Sequence, residues 1–407
     1  MKTTHILLST VILMSLMVTD GQVVSFTMRK LAFSINQFGF DLYRAMDFPN
    51  NMDAAVCPFG VSLLLATMLL GARGNTEVAL RQALYLWGMR SHETHAAFRD
   101  LLIHLRENLH AITGEKKDDP QSLANNSLIF FHSLYVQRDF SIHYPYLMYL
   151  QRLYNTTLHP IDFILNGPET KEHINAIVEK QTNGKIKDIL LATPPHSTSL
   201  LVLSALYFRG IFDPAVFRET NRSRDYVGSR AIFSSRADMK KTKVRYGKYD
   251  YLGCVAVEIP FRGGDMSFLA LVPETAGGLG LLESRISAQR LNDILNTLEA
   301  QQINLKVPRI VIEQNHQNLT KALLDAGLTD LFMPGYANLY GISDFPWLHI
   351  SNIIHKINIE IHQIDYRSSR QSNDLPTVQF KHPFLFFVLD NVSGLAIVMG
   401  KIAKSLG

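Results

Sequence analysis

Apolar side chains recur along this chain with two periods. Leu31, Ile35, Phe38 and Leu42 fall three or four apart, the spacing of one helix face. The stretch 62–70 is densely apolar and closes at Gly71 and Gly74, and Asn75 or Thr76 is the candidate cap of the helix that follows. Ile174, Ile177, Val178 and Gln181 make a further stripe that stops at Asn183-Gly184, and Leu291, Ile294, Leu295 and Leu298 make another behind Ser287, a candidate N-cap. Elsewhere the apolar runs read as strands: 200–208, 252–259, 266–272, 303–312, 384–389 and 395–399. The last two flank Asp390-Asn391-Val392-Ser393-Gly394, a hairpin turn by composition. Helices gather early and strands late without βα alternation, so the expected class is α+β with mainly antiparallel sheets. No repeat and no linker divides the chain.

The first residues depart from this pattern. Lys2 precedes an apolar run over 6–18, and Thr19, Asp20 and Gly21 close it. That run is too short to cross about 30 Å of hydrocarbon, and its order of charge, apolar stretch and small residues is that of a secretory leader. Residues 1–21 are therefore expected to be a signal peptide, with the mature, secreted chain beginning near Gln22. No later stretch is long and apolar enough to span a membrane. Two cysteines, Cys57 and Cys254, both in apolar surroundings, can form at most one bridge, so a large core must supply stability. Five Asn-x-Ser/Thr sites (Asn125, Asn155, Asn221, Asn318 and Asn391) agree with export and are the candidate glycosylation sites. With 47% hydrophobic and 19% charged residues the chain is an ordinary globular one, and a net charge of +4 over 407 residues calls for no nucleic-acid partner.

Signatures of catalysis are missing: no G-x-S-x-G, P-loop, C-x-x-C or H-E-x-x-H occurs. His92-Glu93-Thr94-His95 has its histidines three apart, one residue short of zinc-protease spacing, and reads as a solvated helix face. Gly277-Gly278-Leu279-Gly280 reads as a loop. Fifteen histidines form no ligand cluster, so neither a metal nor a cofactor is expected. His355 shares one face of a period-two strand with Ile353, Ile357, Ile359 and Ile361, which places it in the core and demands a polar partner from another strand.

Longer motifs then fall into a known order. Cys57-Pro58-Phe59-Gly60-Val61-Ser62, Leu69-Leu70-Gly71-Ala72-Arg73-Gly74-Asn75-Thr76, Thr182-Asn183-Gly184-Lys185-Ile186 and Leu203-Ser204-Ala205-Leu206-Tyr207-Phe208-Arg209-Gly210 come first. His355-Lys356, then Phe380-Lys381-His382-Pro383-Phe384-Leu385-Phe386, ending in Met399-Gly400-Lys401, follow. In this order they resemble the serpin family over nearly all of the mature chain. The resemblance implies one domain over 22–407, with three sheets, eight or nine helices and an exposed reactive loop between His355-Lys356 and Phe380. It also implies a protein that is no enzyme. In inhibitory members a serine protease cuts the loop, which enters the main sheet as an extra strand and carries the acylated protease along.

Departures from the family pattern concern that step. The hinge, Gln363, Ile364, Asp365 and Tyr366, continues into Arg367-Ser368-Ser369-Arg370, where inhibitory members carry small residues. Insertion buries Tyr366, Ser368 and Arg370 in one register, or Asp365, Arg367 and Ser369 in the other, and an unpaired buried charge costs several kcal/mol. The segment 357–379 is also shorter than inhibitory members carry. Alignment back from Phe380 puts the cleavage position near Ser372-Asn373, and Arg367, Arg370 and Gln371 complete the reactive-loop set, with Arg370 the preferred scissile residue for a trypsin-like enzyme. Beneath the main sheet Cys57 and Gly60 stand where serines are usual and Ser204 where asparagine is usual, while His355 keeps its place and is expected to bond to Ser204 or a neighbouring backbone group. Lys240, Lys241, Lys243, Arg245 and Lys248 form a candidate surface for sulfated polysaccharide, or else a lysine-protected edge strand. The expected protein is a secreted monomer that engages an extracellular serine protease or another secreted protein with weak or absent trapping. A trapping inhibitor cleaved near Arg370 is the alternative.

Overall fold

A computed structural model describes residues 16–19, 22–110, 126–213, 235–236, 244–301, 303–316, 319–362 and 376–403. Leu16–Thr19 (β1) and Gln22–Ser25 (β2) pair as a hairpin and lead into α1, Phe26–Ala45. Its cap is the Ser25 hydroxyl, which accepts the Met28 N–H, and its buried face holds Leu31, Ile35, Phe38 and Leu42, as the spacing predicts. After β3 (Ala54–Val56) comes α2, Pro58–Gly71, with proline in its first turn and every side chain but Leu70 buried. Helix α3, Gly74–Ala83, starts differently from the expectation. Arg73 is its N-cap with no side-chain bond, and the Thr76 hydroxyl instead accepts the N–H of Asn338, from a distant loop, at 2.9 Å.

Nine α-helices occur among the described residues, and two large sheets carry the fold rather than the expected three. One, antiparallel throughout, orders its seven strands as Glu299–Ala300 (β11), Arg245–Tyr249 (β8), Cys254–Pro260 (β9), Met266–Pro273 (β10), Phe384–Asp390 (β16), Ala396–Ile402 (β17) and β3. The other has five: Ile310–His316 (β13), Ile350–His362 (β14), Leu200–Ile211 (β6), Ser127–Gln137 (β4) and Leu158–Ile161 (β5), with β14·β6 and β4·β5 parallel. Smaller sets are the β1–β2 hairpin and a three-stranded group of Thr377–Gln379 (β15), Asn304–Lys306 (β12) and Ser235–Arg236 (β7). The run 303–312 is thus two strands, not one. Pro308 has no N–H for a ladder, and the halves on either side join different sheets. Leu279–Arg285 (α7) begins inside Gly277-Gly278-Leu279-Gly280, so only its first two glycines are loop.

The five-stranded sheet is covered on both faces, which explains why β6 reads as an unbroken apolar run. One face carries Val202, Leu206, Phe208, Ile353 and Ile357 into the main core with α1 and α2. The other carries Leu203, Tyr207 and Ile354 into a smaller core under Ile174 and Val178 of α6, Gly167–Gln181. Helix α8, Ala288–Thr297, is capped by the Ser287 hydroxyl as predicted. Both cysteines are buried and unpaired, and burial pushes each thiol up to about 12, which makes them inert hydrophobes.

Candidate functional site

β14 leaves the five-stranded sheet at His362 and β15 begins in another sheet at Thr377, so residues 363–376 connect the two. The hinge candidates Gln363, Ile364, Asp365 and Tyr366, and the reactive-loop candidates Arg367, Arg370, Gln371, Ser372 and Asn373, all lie outside the described residues. The sheet that such a segment would have to enter is described. β14 and β6 pair in parallel from Ile350 with Leu200 to His362 with Ile211, through twelve pairs. A chain that leaves β14 and folds back runs antiparallel to β14, and therefore to β6 as well. Its entry exchanges one parallel ladder for two antiparallel ones, which is favourable per residue. The two faces of that ladder differ. Ile357, Ile359, Ile361, Leu206 and Phe208 make the inner face dry, whereas Glu360, His362 and Arg209 line the outer face where β14 ends.

Beneath the ladder His355 pairs in register with Ser204 and has no exposure. Its Nε2 accepts the Cys57 backbone N–H at 3.2 Å, which places the ring proton on Nδ1. The partner is therefore the peptide that opens α2, a neighbouring backbone group and one of the two expected partners, the other being Ser204. Nδ1 meets no partner among the described residues, and neither does the buried Ser62 hydroxyl. Burial, with His316 adding to it, pushes His355 down to about 3; the Ser204 backbone opposes this as the smallest of the three influences. Cys57 accepts the Gly60 N–H at 3.3 Å through its sulfur. A Cβ on Gly60 would stand 2.7 Å from the Ser204 Oγ, so the glycine is set by close approach to β6. The four residues expected under the sheet thus adjoin one another. His316 went unnoticed in the sequence: its ring stacks on His355 with centroids 6.2 Å apart and its Nε2 bonds to the Ala55 carbonyl at 3.0 Å, a neighbourhood made only by the pairing of β13 with β14.

A strap of chain, residues 182–191, fastens the outer face. Lys356 Nζ donates to the Lys187 carbonyl at 2.7 Å and pairs with Glu313 at 3.0 Å. Asn358 donates to the Lys185 carbonyl at 3.3 Å, and Asn315 to those of Asp188 and Ile189 at 3.2 Å. Lys185 in turn lies 5.0 Å from the ring centre of Tyr207 on β6. The strap therefore holds β13, β14 and β6 at once.

Other candidates fare unevenly. Lys240, Lys241 and Lys243 lie outside the described residues. Arg245 is committed to Glu258, with Nε 2.6 Å from the carboxylate, and Lys248 to Asp250 and Glu274 at 3.3 and 3.0 Å, so neither offers a free cation to a polyanion. Being three apart on β8, they also point to opposite faces. In α4, Ser91–His110, His92 is exposed but Thr94 and His95 are buried, against the expectation of a solvated face; His95 Nδ1 bonds to the Tyr154 hydroxyl. Asn125, Asn221 and Asn318 lie outside the described residues, whereas Asn155 and Asn391 are exposed. A cavity of about 790 Å³, lined by Arg29, Phe33, Leu291, Leu295, Asn296 and Val392 among others, opens between α1, α8 and the Asp390–Gly394 turn. Among the described residues no cluster of three metal-ligating side chains occurs and no helix is long and apolar enough to cross a membrane.

Comparison with known proteins agrees with this architecture. The family model described as serpin (serine protease inhibitor) matches residues 33–405. The leukocyte elastase inhibitor of Sus scrofa is 26% identical over 395 residues, covering 93% of this chain and all of that protein. The crystal structure of uncleaved ovalbumin superposes with a TM-score of 0.74 at 25% identity, covering 92% of this chain and 99% of the other. Human thyroxine-binding globulin complexed with thyroxine gives 0.74 at 20% identity, covering 93% and 99%.

Proposed function

Because the chain belongs to the serpin family of serine protease inhibitors, we propose that it is exported and offers residues 363–376 to a trypsin-like serine protease or another extracellular protein, without lasting covalent capture. Members of the family act as protease inhibitors rather than as catalysts. Export rests on the leader-like residues 1–21 alone. The observation that carries the mechanistic reading is a mismatch of lengths. The β14·β6 ladder runs through twelve pairs, about 40 Å at ~3.3 Å per residue. Cleavage after Arg370 leaves only residues 363–370 to fill it, and some of those must make the turn. Counted down from His362, eight pairs reach only His355, and a turn of two residues stops the strand near Ile357. The new strand would end short of the Cys57–Gly60–His355 cluster with a parallel pair still closed below it. Chemistry adds to geometry: one register turns Arg370 onto the dry inner face beside Ile357 and Leu206, and the other turns Asp365 and Arg367 onto that face.

The test is incubation of the mature protein with a panel of trypsin-like proteases. Cleavage near Arg370 without an SDS-resistant adduct is the expected outcome, and a stoichiometric covalent adduct would restore the trapping alternative. A second reading, carriage of a small amphipathic molecule, is favoured by the cavity between α1 and α8, where apolar Phe33 and Leu291 adjoin polar Asn296. Saturable quenching of intrinsic fluorescence by thyroxine or a related aromatic acid, lost on Leu291→Arg, would support it.

A further inference from the structure

The two described glycosylation candidates sit in opposite environments. Asn155 caps the C-terminus of α5, Tyr144–Tyr154, at φ 48° and ψ 45°, a left-handed conformation that asparagine tolerates better than most side chains. Its Oδ1 accepts from Gln151 Nε2 at 3.2 Å in an exposed bond, and its Nδ2 meets no acceptor among the described residues. The hydroxyl two positions on, Thr157, is exposed as well, beside His159 Nε2 at 2.7 Å. Between them Thr156 is buried and donates to the His132 carbonyl at 2.8 Å, which pins the backbone so that both ends of the acceptor motif face solvent. In Asn391 both ends are occupied: Nδ2 donates to the Gly264 carbonyl at 2.8 Å, and Oδ1 accepts from the Ser267 hydroxyl at 2.8 Å. Its motif hydroxyl, Ser393, is buried and donates to the Asp390 carboxylate.

We propose that Asn155 carries an N-linked glycan and that Asn391 stays unmodified. In biology this rests on the export reading above, since the donor, a lipid-linked pyrophosphoryl oligosaccharide, belongs to the secretory route. In the transfer a bond forms between Asn155 Nδ2 and the sugar C1, the C1–O bond to pyrophosphate breaks, the lipid pyrophosphate leaves and the amide loses one proton. The fold accommodates the product at Asn155 because no intramolecular bond among the described residues uses that nitrogen. At Asn391 the sugar would have to share the nitrogen with the Gly264 carbonyl. Met148, 55% exposed, lies seven residues before Asn155 on the same stripe of α5, within the surface that a glycan there would cover.

The experiment uses the full chain, produced in secretory animal cells in two forms: one with its own N-terminus and one with an unrelated leader replacing residues 1–21. Glycans are released with the amidase that converts the bearing asparagine to aspartate, and peptides are read by mass spectrometry. With the unrelated leader, aspartate at 155 in most molecules and unmodified asparagine at 391 is expected. Thr157→Ala should abolish conversion at 155 and Thr157→Ser should retain it. Asparagine at 155 in most molecules, or occupancy of 391 equal to that of 155, overturns the proposal. If only the form with the unrelated leader is secreted, and is modified at 155, the export reading fails while the site assignment stands.

Discussion

A histidine held neutral in a dry core makes stability depend on acid. His355 is pushed down to about 3 in the fold, while an unfolded chain protonates it near its ordinary value of 6.5. Below about pH 6.5 the unfolded state therefore binds a proton that the folded state refuses, so this contribution is complete above 6.5 and is lost as pH falls towards 3. His95 and His132, each pushed down to about 4 chiefly by burial, act in the same direction. We expect the resistance of the wild type to urea to weaken as the pH falls from 7.5 to 5. His355→Ala should be less stable at pH 7.5 by about 1–3 kcal/mol, because the Cys57 N–H loses its acceptor and a void remains. Its stability should also fall by about 2 kcal/mol less on going to pH 5. Equal pH slopes for the two proteins would show that His355 is not the titrating group. That His355 is buried was legible from its isoleucine neighbours. Its partner was not, because Cys57 stands 298 residues away and contributes a backbone N–H that carries no mark in the sequence.

Among elements, the strap over residues 182–191 controls the pair of strands that would have to separate. Lys356 is buried, with its ammonium shared between the Lys187 carbonyl and Glu313, so its removal leaves a strap carbonyl without a donor. Lys356→Ala is expected to speed amide exchange in 185–190, corresponding to about 1–2 kcal/mol of lost local protection, while the core strands β6 and β4 exchange as before. Unchanged exchange in the strap would mean that it is held by Asn315, Asn358 and Asn175 alone, the last of which donates to the Leu190 carbonyl at 3.0 Å and accepts the Leu190 N–H at 2.8 Å. Element type was well marked by apolar spacing for α1, α2, α6 and α8. Errors arose where neighbours outside the local window take part: α3 opens at Arg73 without a side-chain cap while Thr76, already inside the helix, bonds to Asn338, and 303–312 divides because its halves belong to different sheets.

For the molecule as a whole, the mismatch between ladder and segment predicts how it responds to being cut. Full insertion would replace twelve parallel pairs by two antiparallel ladders. A strand of about six pairs that buries Arg370, or Asp365 and Arg367, gains little, since each unpaired charge offsets several backbone bonds. Nicking this chain with trypsin at Arg370 or Arg367 should therefore leave its melting temperature within a few degrees of the intact form, read by calorimetry on both samples. A rise of tens of degrees would show that the sheet accepts this segment in spite of its length and charge.

The sequence by itself determined the α+β class, the helix faces, the terminal hairpin and the kinship of the chain, since these depend on local period and on motifs kept in order. It also marked His355 as a core position, because that histidine shares a period-two face with isoleucines, while Cys57, Gly60 and Ser204 were placed under the ladder only by the family resemblance. Tertiary structure alone decided which strands lie side by side. It set His316 against His355, turned Arg245 and Lys248 onto carboxylates and drew the strap across β13, β14 and β6. Those contacts join residues far apart in the chain through backbone carbonyls and register. A backbone group is the same at every position, so only the closed fold selects which one is within reach.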